Sequence, residues 1–144
     1  MPPSNKRKIL NDPVYGFISL RHGLTLDLMD HPYMQRLRRI SQLGLSHLVY
    51  PGAVHNRFHH AVGAMYLMQE AIDTLREKGV DITEAEAEGA CAAILLHDIG
   101  HGPFSHALEH SLVDGVHHED LSVLMMNRMN EEMNGALDLA IDIF

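Results

Sequence analysis

Residues 90–96 are apolar without interruption, and the run stops at His97-Asp98-Ile99-Gly100-His101-Gly102-Pro103. A helix that is apolar on every side must be surrounded by protein, so any fold of this chain has to bury this segment. Successive helical residues point about 100° apart, so His97 and Asp98 converge on one point only where the helix ends. Gly100, Gly102 and Pro103 supply that end, by strained backbone angles and by a broken hydrogen-bond ladder. An imidazole and a carboxylate leaving a buried helix together mark a place where a metal site is built.

The rest of the chain reads as helical. Asn11-Asp12-Pro13 and Gly16 are turn signals around a short extended piece at Phe17 to Leu20, preceded by a basic arm, Lys6-Arg7-Lys8. Asp30 reads as an N-cap, with Pro32 just inside a helix running to about Leu43 and Tyr33, Leu37 and Ile40 on its core side. A loop with Gly44, Pro51 and Gly52 leads to a long helix from about Asn56 to Lys78, with Phe58, Val62, Met65, Ile72 and Leu75 as its apolar stripe and Gly79 as its stop. Thr83 and Glu86 form a capping box for the helix that carries the His-Asp pair. Short helices are expected near Phe104 to Leu112 and Glu119 to Glu132. Gly135 to Phe144 has helical apolar spacing but neither a cap nor a partner in the pattern. There is no repeat and no low-complexity linker, so residues 1–144 read as one all-α domain with a short extended piece near its N-terminus.

Composition narrows the function. The formal charge of −8 is split, +5 over residues 1–60 and −13 over residues 61–144. The basic part suits phosphates, and the acidic part disfavours wrapping a nucleic acid duplex. Twelve histidines, six of them between His97 and His118, invite metal or proton-transfer chemistry. The single cysteine, Cys91, sits in the apolar run and points to a reducing, cytoplasmic setting. No apolar run approaches the ~18 residues of a membrane span, and no signal-peptide core is evident.

In Asn56-Arg57-Phe58-His59-His60, Arg57 and His60 are three apart and share a helix face, with Phe58 turned to the core. His60 is then a candidate ligand and Arg57 a bidentate phosphate clamp, although a histidine at a helix start often just satisfies a carbonyl. His101 follows His97 by four residues. His106 precedes Glu109 by three, which lets the carboxylate orient the imidazole as an acid or base. His117-His118-Glu119 opens a further helix, where an acidic residue also serves as a dipole partner. Arg36, Arg38 and Arg39 read, on spacing alone, as a solvated helix face or a set of ion pairs.

Together these runs resemble the HD-domain metal-dependent phosphohydrolases, and within them the deoxynucleoside triphosphate triphosphohydrolase branch. The matching stretches are ILNDPVYG, DHPYMQRLRRISQLG, VYPGAVHNRFHHAVGA, LLHDIGHGPFSH and HHEDLSVLM, collinear from Lys8 to Met125. The resemblance implies that His60, His97 and Asp98 bind a divalent transition metal (iron, manganese, zinc or nickel), with magnesium added through the phosphates. It implies that Arg57 contacts substrate phosphates, that His101, His106 and His118 line the triphosphate and leaving-group side, and that Glu109 orients His106. The implied reaction converts a deoxynucleoside triphosphate to deoxynucleoside and triphosphate, with His106 as the acid for the departing 5′ oxygen. Asp30, Gln35 and Arg38, with Lys8 to Asn11 nearby, correspond to a stretch that binds a regulatory guanine nucleotide between subunits, so a homo-oligomer is expected.

The family's fourth metal ligand, an Asp on a later helix, has no match here. Asp138 and Asp142 read as a solvated helix face, and the chain is expected to be the N-terminal part of the family domain, with an open or incomplete metal site. His59 stands where close relatives have Glu, and Glu109 where they have Asp. Two other readings use the same residues: a different HD phosphomonoesterase or phosphodiesterase, or a nucleotide-binding and oligomerisation module without catalysis.

Overall fold

The computed structural model describes residues 8–21, 23–104, 115 and 117–144. The chain begins as a β-hairpin, β1 (Ile9–Asp12) antiparallel to β2 (Gly16–Ser19), with Leu10 opposite Ile18. The expected turn at Asn11-Asp12 is instead the end of a strand. The Asp12 carboxylate closes the turn by accepting from the backbone N–H groups of Val14 (2.8 Å) and Tyr15 (3.0 Å). Gly16 completes it at a left-handed φ of 74°.

Helix α1 (Gly23–Asp30), unforeseen in the periodicity, buries Leu28 and Met29. Asp30 is its last residue and not a cap. His31 caps α2 (Pro32–Arg36), its Nδ1 accepting from the Tyr33 N–H at 3.2 Å. The expected continuation to Leu43 stops early: Leu37–Arg39 tightens into a 3-10 turn and Ile40 is extended. The reason is a tertiary contact, since the Ile40 carbonyl accepts from Arg57 N–H at 2.9 Å and Gln42 N–H donates to His55 O at 3.1 Å. A second 3-10 turn covers Ser46–Leu48.

Helix α3 (Arg57–Glu77) starts where the sequence placed it, with Asn56 Oδ1 accepting from His59 N–H at 3.0 Å. Asn56 Nδ2 also donates to Arg38 O (3.1 Å), which ties the start of α3 to the 3-10 turn. Helix α4 (Glu84–Leu96) carries the expected Thr83–Glu86 capping box. It lies against α3, and Ala61, Val62 and Met65 meet Cys91, Leu95 and Leu96 in one core with Leu37 and Ile99. Helix α5 (His118–Glu132) adds Met126 and Met129. Leu75, expected in the core stripe, is 42% exposed, whereas Ile72 is buried.

The last segment corrects another expectation. Helix α6 (Asp138–Ile143) has a partner in α4, where Leu139 Cγ would lie 2.9 Å from a Cβ added at Gly89. Leu137 and Ala140 are buried. Asn130 joins α5 to α6, accepting from Leu137 N–H and donating to Asp138 Oδ1, each at 2.7 Å. The helix expected near Phe104 to Leu112 and most of the basic arm lie outside the described residues. No helix among the described residues is long and apolar enough to cross a membrane.

Urea unfolding will separate the two residues of the α3 stripe. Ile72→Ala is expected to cost about 2–4 kcal/mol and Leu75→Ala under about 1 kcal/mol, since only the first leaves a cavity.

Candidate metal centre

Helix α4 ends at Leu96, and the backbone then turns tightly, with Ile99 N–H donating to Leu96 O (3.0 Å) and His101 N–H to Asp98 O (3.1 Å). The turn brings His97 and Asp98 to the same side, as the sequence required. Packing of α3 on α4 brings His60 to meet them. His60 Nε2 lies 3.1 Å from His97 Nε2, and one ligand atom from each of His60, His97 and Asp98 falls within 4.8 Å of the others.

The donor set fits a cation. His97 Nδ1 lies 2.6 Å from Ile94 O, so it carries the proton there and Nε2 presents a lone pair. Asp98 Oδ1 is 3.4 Å from His97 Nε2, and Asp98 Oδ2 is 3.8 Å from His60 Nε2. Bonds of about 2.1 Å meeting near a right angle would separate two ligand nitrogens by about 3 Å, which matches the imidazole pair. Two imidazoles and a carboxylate suit a divalent transition metal.

Charge is arranged around Asp98. Burial alone would raise its pKa, but the hydrogen bond from His101 and the charges of His97, His101 and Arg57 hold the carboxyl well below the usual carboxylate range. Arg57, buried at the first turn of α3, donates to Asp98 Oδ2 at 2.7 Å. The residue expected to clamp phosphate therefore spends one guanidinium nitrogen on the Asp98 carboxylate. Burial lowers the pKa of His60 against the pull of Asp98, and burial likewise lowers that of His101.

His101 is almost fully buried, with Nε2 3.4 Å from Asp98 Oδ1, and its ring stacks on His118 with centroids 3.9 Å apart and an 18° tilt. His118 Nε2 also lies 3.2 Å from Glu119 Oε1. His106 and Glu109 lie outside the described residues. His59 is exposed beside His60, and both line a cleft of about 680 Å³ with His55, Tyr15 and Leu67.

Two residues that sequence reasoning passed over hold this turn. Arg36, taken for part of a solvated face, donates from Nη1 to His101 O at 2.9 Å and from Nη2 to Ile99 O. Ser122, buried on α5, accepts from Gly100 N–H at 2.9 Å and reaches His97 O at 3.3 Å. A Cβ at Gly100 would lie 2.2 Å from His118 O, so only glycine lets α5 approach. No local pattern pointed to Arg36 or Ser122, since the groups they meet lie in the turn after α4, 22 to 65 residues away in sequence. The other arginines of the segment differ. Arg38 lies over the Phe58 ring at 3.7 Å and donates to Gln35 Oε1 at 2.8 Å, while Arg39 is exposed. Asp30 pairs with Lys8 at 2.9 Å. Asp138, held by Asn130, and Asp142 are not part of the three-residue donor group.

Donors for a metal, gathered from the ends of two packed helices, define a class of helical protein. The HD domain family matches residues 57–142, and the chain belongs to it. It is 41% identical over 136 residues to deoxynucleoside triphosphate triphosphohydrolase SAMHD1 of Danio rerio, covering 89% of this chain and 22% of that protein. It is 39% identical over 118 residues to the uncharacterized protein YwfO of Bacillus subtilis, covering 82% and 27%. A crystal structure of a phosphohydrolase from Bacteroides thetaiotaomicron superposes with a TM-score of 0.94 at 61% identity, covering 96% of this chain and 34% of that one. The chain thus spans about a fifth to a third of the length of these relatives.

Two outcomes follow from this geometry. Gly100→Ala is expected to destabilise the chain by about 1–3 kcal/mol in urea, with loss of metal binding, because α5 must retreat from the turn. His60 ligates only when neutral, and its lowered pKa keeps it neutral at pH 7. Metal affinity measured by calorimetry should therefore hold at pH 7 and fall as the pH drops below 6.5 towards that lowered value.

Proposed function

We propose that this chain carries the metal-binding part of a nucleotide phosphohydrolase that converts a deoxynucleoside triphosphate to deoxynucleoside and triphosphate. The observation that carries the proposal is the convergence of His60, His97 and Asp98 within 4.8 Å beside a buried arginine on the same carboxylate. The names of the similar proteins, a deoxynucleoside triphosphate triphosphohydrolase and a phosphohydrolase, support it. In this proposal residues 1–144 are the N-terminal part of one HD domain, working in the reducing cytoplasm that the lone Cys91 suits.

His60 and His97 would hold the metal through Nε2 and Asp98 through its carboxylate. A divalent cation, whether iron, manganese, zinc or nickel, supplies Lewis-acid charge neutralisation and lowers the pKa of a nearby water. Arg57 keeps Asp98 ionised and in place, and its charge lies beside the position of the α-phosphate. His101, through its contact with Asp98, fixes the carboxylate from the other side. His118 stacks on His101 and faces the same region. Attack of water on the α-phosphorus, with its proton released to solvent, breaks the bond to the 5′ oxygen; the proton that this oxygen takes up is assigned to His106, with Glu109 as its partner. The exposed Asp30–Lys8 and Gln35–Arg38 pairs offer acceptors and donors for a guanine base and its phosphates, and we assign them to a regulatory nucleotide in a homo-oligomer.

Elemental analysis of the purified chain, followed by chromatography of reaction products with deoxynucleoside triphosphates, tests the reading. Stoichiometric metal that is lost in His60→Ala, together with inorganic triphosphate as a product, is the expected result. Metal content indifferent to His60→Ala and His97→Ala would sink it.

A further inference from the structure

The turn that presents Asp98 is held by side chains distant in sequence. The turn that follows α4 places the backbone carbonyls of Ile99 and His101 on buried residues, where an unpaired carbonyl is costly. Arg36 reaches across from the end of α2 and donates to both, to His101 O at 2.9 Å and to Ile99 O. A guanidinium also places positive charge at the negative end of the α4 dipole, where the helix itself has no basic residue. On the opposite side, Ser122 secures Gly100 N–H and His97 O.

We infer that Arg36 is a positioning residue for the metal centre, acting as a cationic clamp supplied from another helix to the turn after α4. The route is short. Arg36 holds the backbone of residues 99–101, that backbone aims the His101 ring, and His101 Nε2 lies 3.4 Å from Asp98 Oδ1. Planarity matters, because one guanidinium spans two carbonyls at fixed spacing whereas an ammonium is a point donor. Nearby Arg39, on the 3-10 turn that follows α2, is exposed and is not among the donors to these carbonyls.

The inference rests on the metal-centre reading, and its test separates the two. Mn²⁺ affinity is measured by calorimetry on the wild-type chain, Arg36→Lys and Arg39→Ala. On the metal-free proteins, NMR follows the ring-current-shifted imidazole signals of the His101–His118 stack. Arg36→Lys is expected to keep its helical circular dichroism, to lose Mn²⁺ affinity roughly tenfold or more, and to lose the ring-current shift. Arg39→Ala should match the wild type in both. A folded Arg36→Lys with unchanged affinity and unchanged imidazole signals overturns the inference, as does an equal loss in Arg39→Ala. An Arg36→Lys variant that no longer folds overturns it too, since Arg36 is then structural. A wild-type chain that takes up no Mn²⁺ defeats the metal-centre reading instead, and the imidazole signals alone then decide the role of Arg36.

Discussion

A carboxylate kept ionised while largely out of water is the constraint on which the rest of this structure depends. Desolvating Asp98 penalises its charge, and an isolated carboxylate in such a place would take up a proton and stop being a good ligand. Arg57 and His101 prevent this from two directions, one from the first turn of α3 and one from the turn after α4. Each compensating group must itself be placed. Arg57 is set by the Asn56 cap and by its own N–H on Ile40 O, so the early end of the helix after Pro32 and the early charge on Asp98 are parts of one arrangement.

The same economy governs the end of α4. At the end of this buried helix His97 Nδ1 meets Ile94 O and Ile99 N–H meets Leu96 O, but the buried carbonyls of the turn beyond need partners from elsewhere. Arg36 and Ser122 answer from α2 and α5, and Gly100 admits α5 closely enough for Ser122 to reach. The backbone that carries His97 and Asp98 is thereby tied to two elements that lie outside the donor group. Breaking a buried ion pair such as Arg57–Asp98 by removing one partner leaves an uncompensated charge, costing about 3–5 kcal/mol. Stability and ligand geometry are therefore coupled here, and substitutions at Arg57 report on both at once.

Much of the site was legible in the sequence because its logic is local. A capping box, an N-cap asparagine and a His-Asp pair followed by glycines each involve residues within a few positions of one another. The errors came where distant groups competed. Asp30 looked like a cap, but α1 runs up to it and His31 does the capping. Leu75 kept the period of the α3 stripe yet is 42% exposed. Arg36, Arg38 and Arg39 were indistinguishable by spacing. One holds carbonyls, one lies over Phe58 and one faces solvent.

What the sequence determined alone is the two helices that carry the site, the place where α4 must stop, and the chemical character of the groups released there. These follow from periodicity and backbone chemistry, which act over one or two turns. Only the tertiary structure decided that His60, 37 residues before His97, would meet it Nε2 to Nε2 at 3.1 Å, and that Arg36 would close the turn from 63 and 65 residues away. Helix packing sets those distances, through the shapes of Ala61, Met65, Leu95 and Leu96 at the contact between α3 and α4. No local pattern encodes how two apolar faces will interlock.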